Sequence, residues 1–219
     1  NRTPLVKPLE TAGEVHGESG LDGYPLPKPD FQPVELIAKT LKESATPVTL
    51  VVTGPMTNAA LFLRVYPELA KAKIDQIVYM GGAMGFGNWQ PSVEFNIFVD
   101  PEAAKIVMNF GIPLVMAPLN VTHQAQILKP EIEALRQIKN PVGQAFYGLQ
   151  SFFERYIEPE MFQTEKMNVD VETTGELTHG ETVCDYYELT GKPQNTEVML
   201  GINRQRFIEL IMEAPHSFD

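Results

Sequence analysis

Short β-branched runs alternate with helical runs through the middle of this chain, and no other feature restricts the possible folds as much. TPVTLVVTG (46–54) reads as a buried strand ending at Gly54. MTNAALFLRVYPELA follows, with apolar positions at helical spacing and Thr57 as the expected N-cap. IDQIVYMGG is the next strand. DPEAAKIVMNFG is a short helix, with Asp100 as N-cap, Pro101 at the first helical position and Gly111 as the stop. IPLVMAPLN is a further strand. Upstream, VELIAKTLKES places Val34, Ile37, Ala38 and Leu41 on one helical face, and two more helical stretches are expected at roughly 129–138 and 140–156. Strands alternating with helices imply βαβ units and hence an α/β fold, a mostly parallel, Rossmann-like sheet flanked by helices. After Tyr156 the pattern changes: MNVDVET, ETVCDYY and NTEVMLG read as strands in a C-terminal strand-rich portion, and RQRFIELIME as a terminal amphipathic helix. At 219 residues the chain suits one α/β domain spanning 1–219 and is too short for two comfortable ones.

Charge and composition exclude several function classes. The formal net charge is −11 and the Lys and Arg residues form no stripe, which argues against nucleic-acid binding through phosphate neutralisation. No apolar run approaches the ~20 residues of a membrane helix, so no membrane association is expected. Residues 1–32 are rich in Pro and Gly, read as an irregular loop, and contain no apolar signal core. A single cysteine, Cys184, rules out an intrachain disulfide framework and fits a cytoplasmic location. Cys184 itself lies in an expected strand, packed rather than reactive.

In open parallel sheets ligands bind beyond the carboxyl ends of the strands. Three such ends carry unusual residues: TGPMTN (53–58), MGGAMGFGN (80–88) and NVTHQ (120–124). Glycine lets backbone approach a ligand closely. The spacing G-x-x-G-x-G is not the dinucleotide fingerprint, and no helix opens directly on it. Behind the glycines, Glu94 and Asn96 alternate with Val93, Phe95 and Ile97. In a strand, that alternation puts the two polar residues on one face, either as a solvated edge or as a pair that reads hydroxyls. Met80, Met84, Phe86, Trp89 and Phe95 form either core or an apolar wall for a planar base. His16, in VHGESGLDG, and His123 are each a surface residue or a functional one; His179 reads as a turn residue and His216 as surface. Nothing has zinc-ligand spacing, and there is neither a G-x-S-x-G elbow nor a P-loop.

Residues 53–125, with MGG, GN, EFN and DPEAA in that order, resemble the nucleoside hydrolases of the inosine–uridine-preferring type. VHGESGLDG upstream and the segment from MNVDVETTGELTHG to LTGKPQNTEV downstream are similar to the same family, and the VCD…LTGKPQNT ending looks most like its pyrimidine-preferring members. The resemblance implies the nucleoside hydrolase fold and cleavage of the N-glycosidic bond of ribonucleosides by a metal-activated water, giving ribose and a free base. It implies one Ca²⁺, with the backbone carbonyl of Thr53 as a ligand. It implies Met80 lining the ribose pocket, Asn88 and Glu94 holding the 5′-hydroxyl end, and Asn96 on the ribose hydroxyls. Phe95 would pack near the sugar ring and His16 near the base. A homodimer or homotetramer is expected. The alternative is a non-catalytic relative that binds ribose or nucleosides.

Two features of the family pattern are not found in these residues. The Asp-rich D-x-D-P-G-x-D-D loop, which supplies most metal ligands and the general base, has no counterpart, and FFERY (152–156) runs directly into IEPEMF (157–162) where the family carries a His-Asp pair. No catalytic residue is therefore assigned. An apparent internal gap falls at Tyr156–Ile157, and the parent protein is expected to contain both segments.

Overall fold

The computed structural model describes residues 3–12, 32–149 and 162–218. His16 and the Tyr156–Ile157 join lie outside the described residues. The chain divides into two compact units. The first comprises Asn1–Leu9, Asp30–Val121 and Thr164–Leu200; the second comprises Glu10–Pro29, Thr122–Gln163 and Gly201–Asp219.

The elements follow the expected alternation: α1 (Pro33–Glu43), β1 (Val48–Val52), α2 (Thr57–Val65), α3 (Pro67–Lys73), β2 (Ile74–Met80), α4 (Phe95–Val99), α5 (Pro101–Met108), β3 (Leu114–Ala117) and α6 (Leu119–Thr122). Then come α7 (Lys129–Leu135), α8 (Pro141–Leu149), β4 (Phe162–Val171), β5 (Thr182–Asp185), β6 (Thr196–Ile202) and α9 (Arg204–His216). The six strands order as β1-β2-β3-β6-β4-β5. β1 with β2, β2 with β3 and β3 with β6 are parallel, while β4 and β5 are antiparallel. The sheet is thus mixed but mostly parallel, and the C-terminal portion supplies three of its strands.

Local chemistry accounts for most boundaries. Asp100 caps α5 by accepting from the Ala103 amide at 3.1 Å, and Pro101 occupies the first turn. Three expectations fail. The MTNAALFLRVYPELA run is two helices: Pro67 has no amide to donate and disfavours helical geometry at Tyr66, which sits at φ −127°, ψ 53°. Thr57 is the first helical residue of α2 and not its cap, because its hydroxyl bonds elsewhere. β1, expected to be buried, is half-buried along its length because it forms an edge of the sheet.

The core of the first unit joins the apolar faces of α1, α2 and α5 to β2, β3, β4 and β6. Val34, Ala38 and Leu41 from α1 meet Phe62, Leu63, Ile77, Tyr79, Val107, Met116, Met167 and Val198 there. Cys184 packs against this core, and burial pushes its thiol up to about 12, so it is not a nucleophile at neutral pH. The second unit has its own small cluster of Ala125, Phe207 and Leu210, with Ile127, Phe162, Ile202, Ile208 and Ile211 around it. Asn203 caps α9 there, and Arg204 reaches Glu131 Oε1 at 2.9 Å.

Candidate functional site

Parallel pairing brings the three strand ends to one side of the sheet. Val52 pairs with Tyr79, and Met80 pairs with Ala117, so the segments following β1, β2 and β3 start level with one another. The ladder extends past β2: the Gly81 amide donates to Ala117 O at 3.2 Å, and the Leu119 amide donates to Gly82 O at 3.0 Å.

The chain then bends at Gly82, whose φ is +78°. A Cβ here would lie 2.5 Å from Met116 Cε and 2.7 Å from Thr182 Cγ2, so the conformation favours glycine and any side chain would have to push the ends of Met116 and Thr182 aside. The next three amides are held one by one by side chains from elsewhere. Gly82 donates to Glu94 Oε2 at 3.0 Å, Ala83 to Thr182 Oγ1 at 2.9 Å, and Met84 to Asn120 Oδ1 at 2.8 Å. Thr182 Oγ1 also donates to Ala83 O at 2.8 Å, and Asn120 Nδ2 to Met84 O at 3.0 Å. A tight hairpin follows, closed by the Gln90–Val93 bridge; a Cβ on Gly87 would be 2.2 Å from Gln90 O.

The EFN segment is not the strand that alternation suggested. Glu94 is the N-cap of α4, with its Oε2 accepting from the Ile97 amide at 3.2 Å as well as from Gly82. Glu94 and Asn96 therefore do not share a strand face; the carboxylate starts a helix instead, satisfying amides that would otherwise lack partners. Glu94 is only 2% exposed. Burial pushes its carboxyl above the usual range, opposed by the amides of Asn96, Gly82 and Ile97.

Asn96 Nδ2 donates to Met80 O and to Met80 Sδ, both at 3.1 Å. Asn88 Oδ1 accepts from the Phe95 amide at 2.9 Å. These bonds use one half of each amide. Asn96 Oδ1 and Asn88 Nδ2 are left without a partner among the described residues, one an acceptor and the other a donor. Phe95 stands edge-on to Trp89, ring centroids 4.9 Å apart. Phe86 does not join an apolar wall with them: it is 90% exposed.

Thr53 follows β1 directly and is exposed, while Thr57, further along the same strand end, donates from its hydroxyl to Asp100. His123 is exposed in the second unit, and His179 Nε2 lies 3.2 Å from Glu102 Oε1. His216 is the last residue of α9 and exposed. Among the described residues no three Asp, Glu, His or Cys side chains gather as a metal site, and the buried carboxylates that cap α4 and α5, Glu94 and Asp100, are engaged by amides and a hydroxyl. Sequence reading did not single out Thr182 or Asn120. Thr182 sits in a run whose only signal is strand propensity, and Asn120 was one polar residue among several at its strand end.

Known proteins share the sequence pattern and the fold of this chain. The profile described as "Inosine-uridine preferring nucleoside hydrolase" matches residues 1–209. The pyrimidine-specific ribonucleoside hydrolase RihA of Klebsiella pneumoniae (strain 342) is 51% identical over 237 residues, covering 96% of this chain and 76% of that protein. Its namesake from Enterobacter sp. (strain 638) is 49% identical over 244 residues, covering 99% and 78%. These alignments are longer than the 219 residues of the chain, so the relatives carry residues that face gaps here. Among solved structures, a purine-preferring ribonucleoside hydrolase from Gardnerella vaginalis superposes with a TM-score of 0.84 at 26% identity, over 99% of this chain and 78% of that one.

Proposed function

Because the chain belongs to the inosine-uridine preferring nucleoside hydrolase family, we propose that its substrates are pyrimidine ribonucleosides, cleaved by water to ribose and the free base. The enzyme class, a ribonucleoside N-ribohydrolase, follows from that membership. Hydrolase relatives near half identity favour it over a non-catalytic binding role. The pyrimidine preference rests on the names of those same relatives; the solved purine-preferring structure is more distant in sequence, at 26% identity.

One observation carries the assignment to a site: the glycine bend after β2 gathers Met80, Glu94, Asn96 and Asn88, with an amide donor and an amide acceptor uncommitted. A pentose presents hydroxyls that need both. In this reading Asn96 Oδ1 accepts from a ribose hydroxyl, Asn88 Nδ2 and the Glu94 carboxylate hold the 5′-hydroxyl end, and Met80 lines the pocket. Phe95 packs near the ring. Breaking the C1′–N bond leaves positive charge on the ribose while water adds its oxygen to C1′. A fixed amide carbonyl and a buried carboxylate stabilise that charge without reorganising, and a ring held at several hydroxyls presents one face to the water.

The Ca²⁺ implied by the resemblance has the Thr53 carbonyl as its one candidate ligand among the described residues. A lone carbonyl does not make a calcium site, which takes ~6–8 oxygens. The described residues thus do not fit the ion, and no step is derived through it. The requirement is tested by chelation: turnover should vanish and return with Ca²⁺. A proton donor for the leaving base is likewise not assigned. A gap at Tyr156–Ile157 would account for relatives' residues that align with no residue of this chain. We read the protein as a cytoplasmic homo-oligomer. The compartment rests on the single cysteine, which leaves no intrachain disulfide to form.

The test is chromatography of the protein with uridine, cytidine and inosine. Uracil or cytosine should appear in step with reducing sugar, faster than hypoxanthine. Absence of base release from every nucleoside, with Ca²⁺ supplied, contradicts the reading.

A further inference from the structure

We infer that Thr182 and Asn120 are positioning residues for the ribose site, acting through the backbone of the glycine bend. The inference rests on the ribose reading of that site and goes beyond it, because neither side chain is among the groups assigned to the sugar. Three consecutive amides, at Gly82, Ala83 and Met84, are each satisfied by a side chain from a different part of the chain: the cap of α4, the first residue of β5, and the segment after β3. Thr182 and Asn120 each hold both the amide and the carbonyl of one residue. A side chain that grips both groups of one peptide residue fixes its position and its rotation together.

The bend needs that restraint. Gly82 occupies a left-handed conformation and lacks a side chain to anchor it. Thr182 is 5% exposed and Ala83 2% exposed, so water does not replace a lost hydroxyl easily. The bend in turn fixes two groups of the pocket. Met80 ends β2 just before it and takes both bonds of Asn96 Nδ2, and Glu94 Oε2 is divided between Gly82 and Ile97. A shift at Ala83 therefore moves Glu94 and Asn96 together, and misplacement of ~1 Å is enough to cost on the order of a hundredfold in rate.

The chemistry separates positioning from packing. Thr182→Val keeps the shape and removes the hydroxyl; Thr182→Ser keeps the hydroxyl and removes the methyl that lies against Gly82. Three quantities are read on the unsubstituted protein and both variants: kcat and KM for uridine, the affinity for free ribose by titration, and hydrogen exchange at the 82–84 amides. The expected result is a loss of about tenfold or more in kcat/KM and in ribose affinity for Thr182→Val, equivalent to roughly 1.4 kcal/mol, with faster exchange at those amides. Thr182→Ser should stay within about threefold of the parent. Asn120→Ala should act in the same direction but lose less than Thr182→Val, because the Asn120–Met84 bonds are open to water, and Asn120→Asp, which keeps the acceptor for the Met84 amide, should lose less again. If Thr182→Val melts earlier yet retains the parental kinetics and ribose affinity, Thr182 is only structural and the inference fails while the ribose reading stands. If the unsubstituted protein neither cleaves uridine nor binds ribose, both fail.

Discussion

Thr57 Oγ1 donates a 2.5 Å hydrogen bond to Asp100 Oδ2, and both residues are buried. The same carboxylate accepts from the Leu5 amide at 3.0 Å and, through Oδ1, from Ala103. One side chain thus ties the N-terminal segment, the end after β1 and the start of α5. Thr57→Val removes a hydrogen bond to a charged group and leaves the carboxylate short of a partner. The expected loss is roughly 2 kcal/mol in urea melts. A loss below about 0.5 kcal/mol would mean that the bond is replaced by water or relaxation.

Gly82→Ala combines a left-handed backbone with a Cβ 2.5 Å from Met116 Cε, whereas Gly85, at φ +112°, has nothing within 4 Å of an added Cβ. Both variants carry a backbone cost of ~1–2 kcal/mol. Only Gly82→Ala adds overpacking, of about 1–3 kcal/mol. Thermal melts should therefore rank Gly82→Ala well below Gly85→Ala. Equal melting points would remove steric closeness as the reason for this glycine.

Burial raises the Glu94 carboxyl in the folded protein, against the opposing pull of three amides. A folded value above the unfolded one means that the native state binds the proton more tightly. The resulting stability is fully present below the unfolded value, ~4.3, and fades as pH rises through the folded value. The melting temperature of the parent relative to Glu94→Gln should thus fall as pH rises above the unfolded value of ~4.3. A difference that is flat with pH, or that grows, would show that amide bonding outweighs desolvation.

The uncommitted Nδ2 of Asn88 predicts a substrate-specific effect. The parent should cleave uridine better than 5′-deoxyuridine, and Asn88→Ala should narrow that preference by about tenfold, as loss of one hydrogen bond to a substrate hydroxyl implies. An equal loss on both substrates would place Asn88 away from the 5′ end.

The fold was legible where one physical rule dominated. The alternation of β-branched and helical runs located β1, β2 and β3, separate strand-like runs located β5, β6 and the second half of β4, and Asp100–Pro101 marked a helix start by its capping chemistry alone. Glu94 and Asn96 were misread as one face of a strand because a five-residue helix offers too little periodicity to compete with a two-residue alternation. What starts that helix is a carboxylate shared with Gly82, twelve positions earlier. Thr182 could not be found from sequence at all, since its partner Ala83 is 99 residues away and local pattern holds no record of such a contact. The glycines announced a bend; only tertiary structure named the side chains that hold it.

The central claim is that the glycine bend after β2 builds a grip on ribose. Its most direct measurement is kcat/KM for uridine in the parent and in Glu94→Ala, with folding of the variant verified by its melt. A drop of about a hundredfold or more is predicted, the scale of losing a preorganised group at the reacting sugar. A folded Glu94→Ala protein that releases uracil at the parental rate would contradict it.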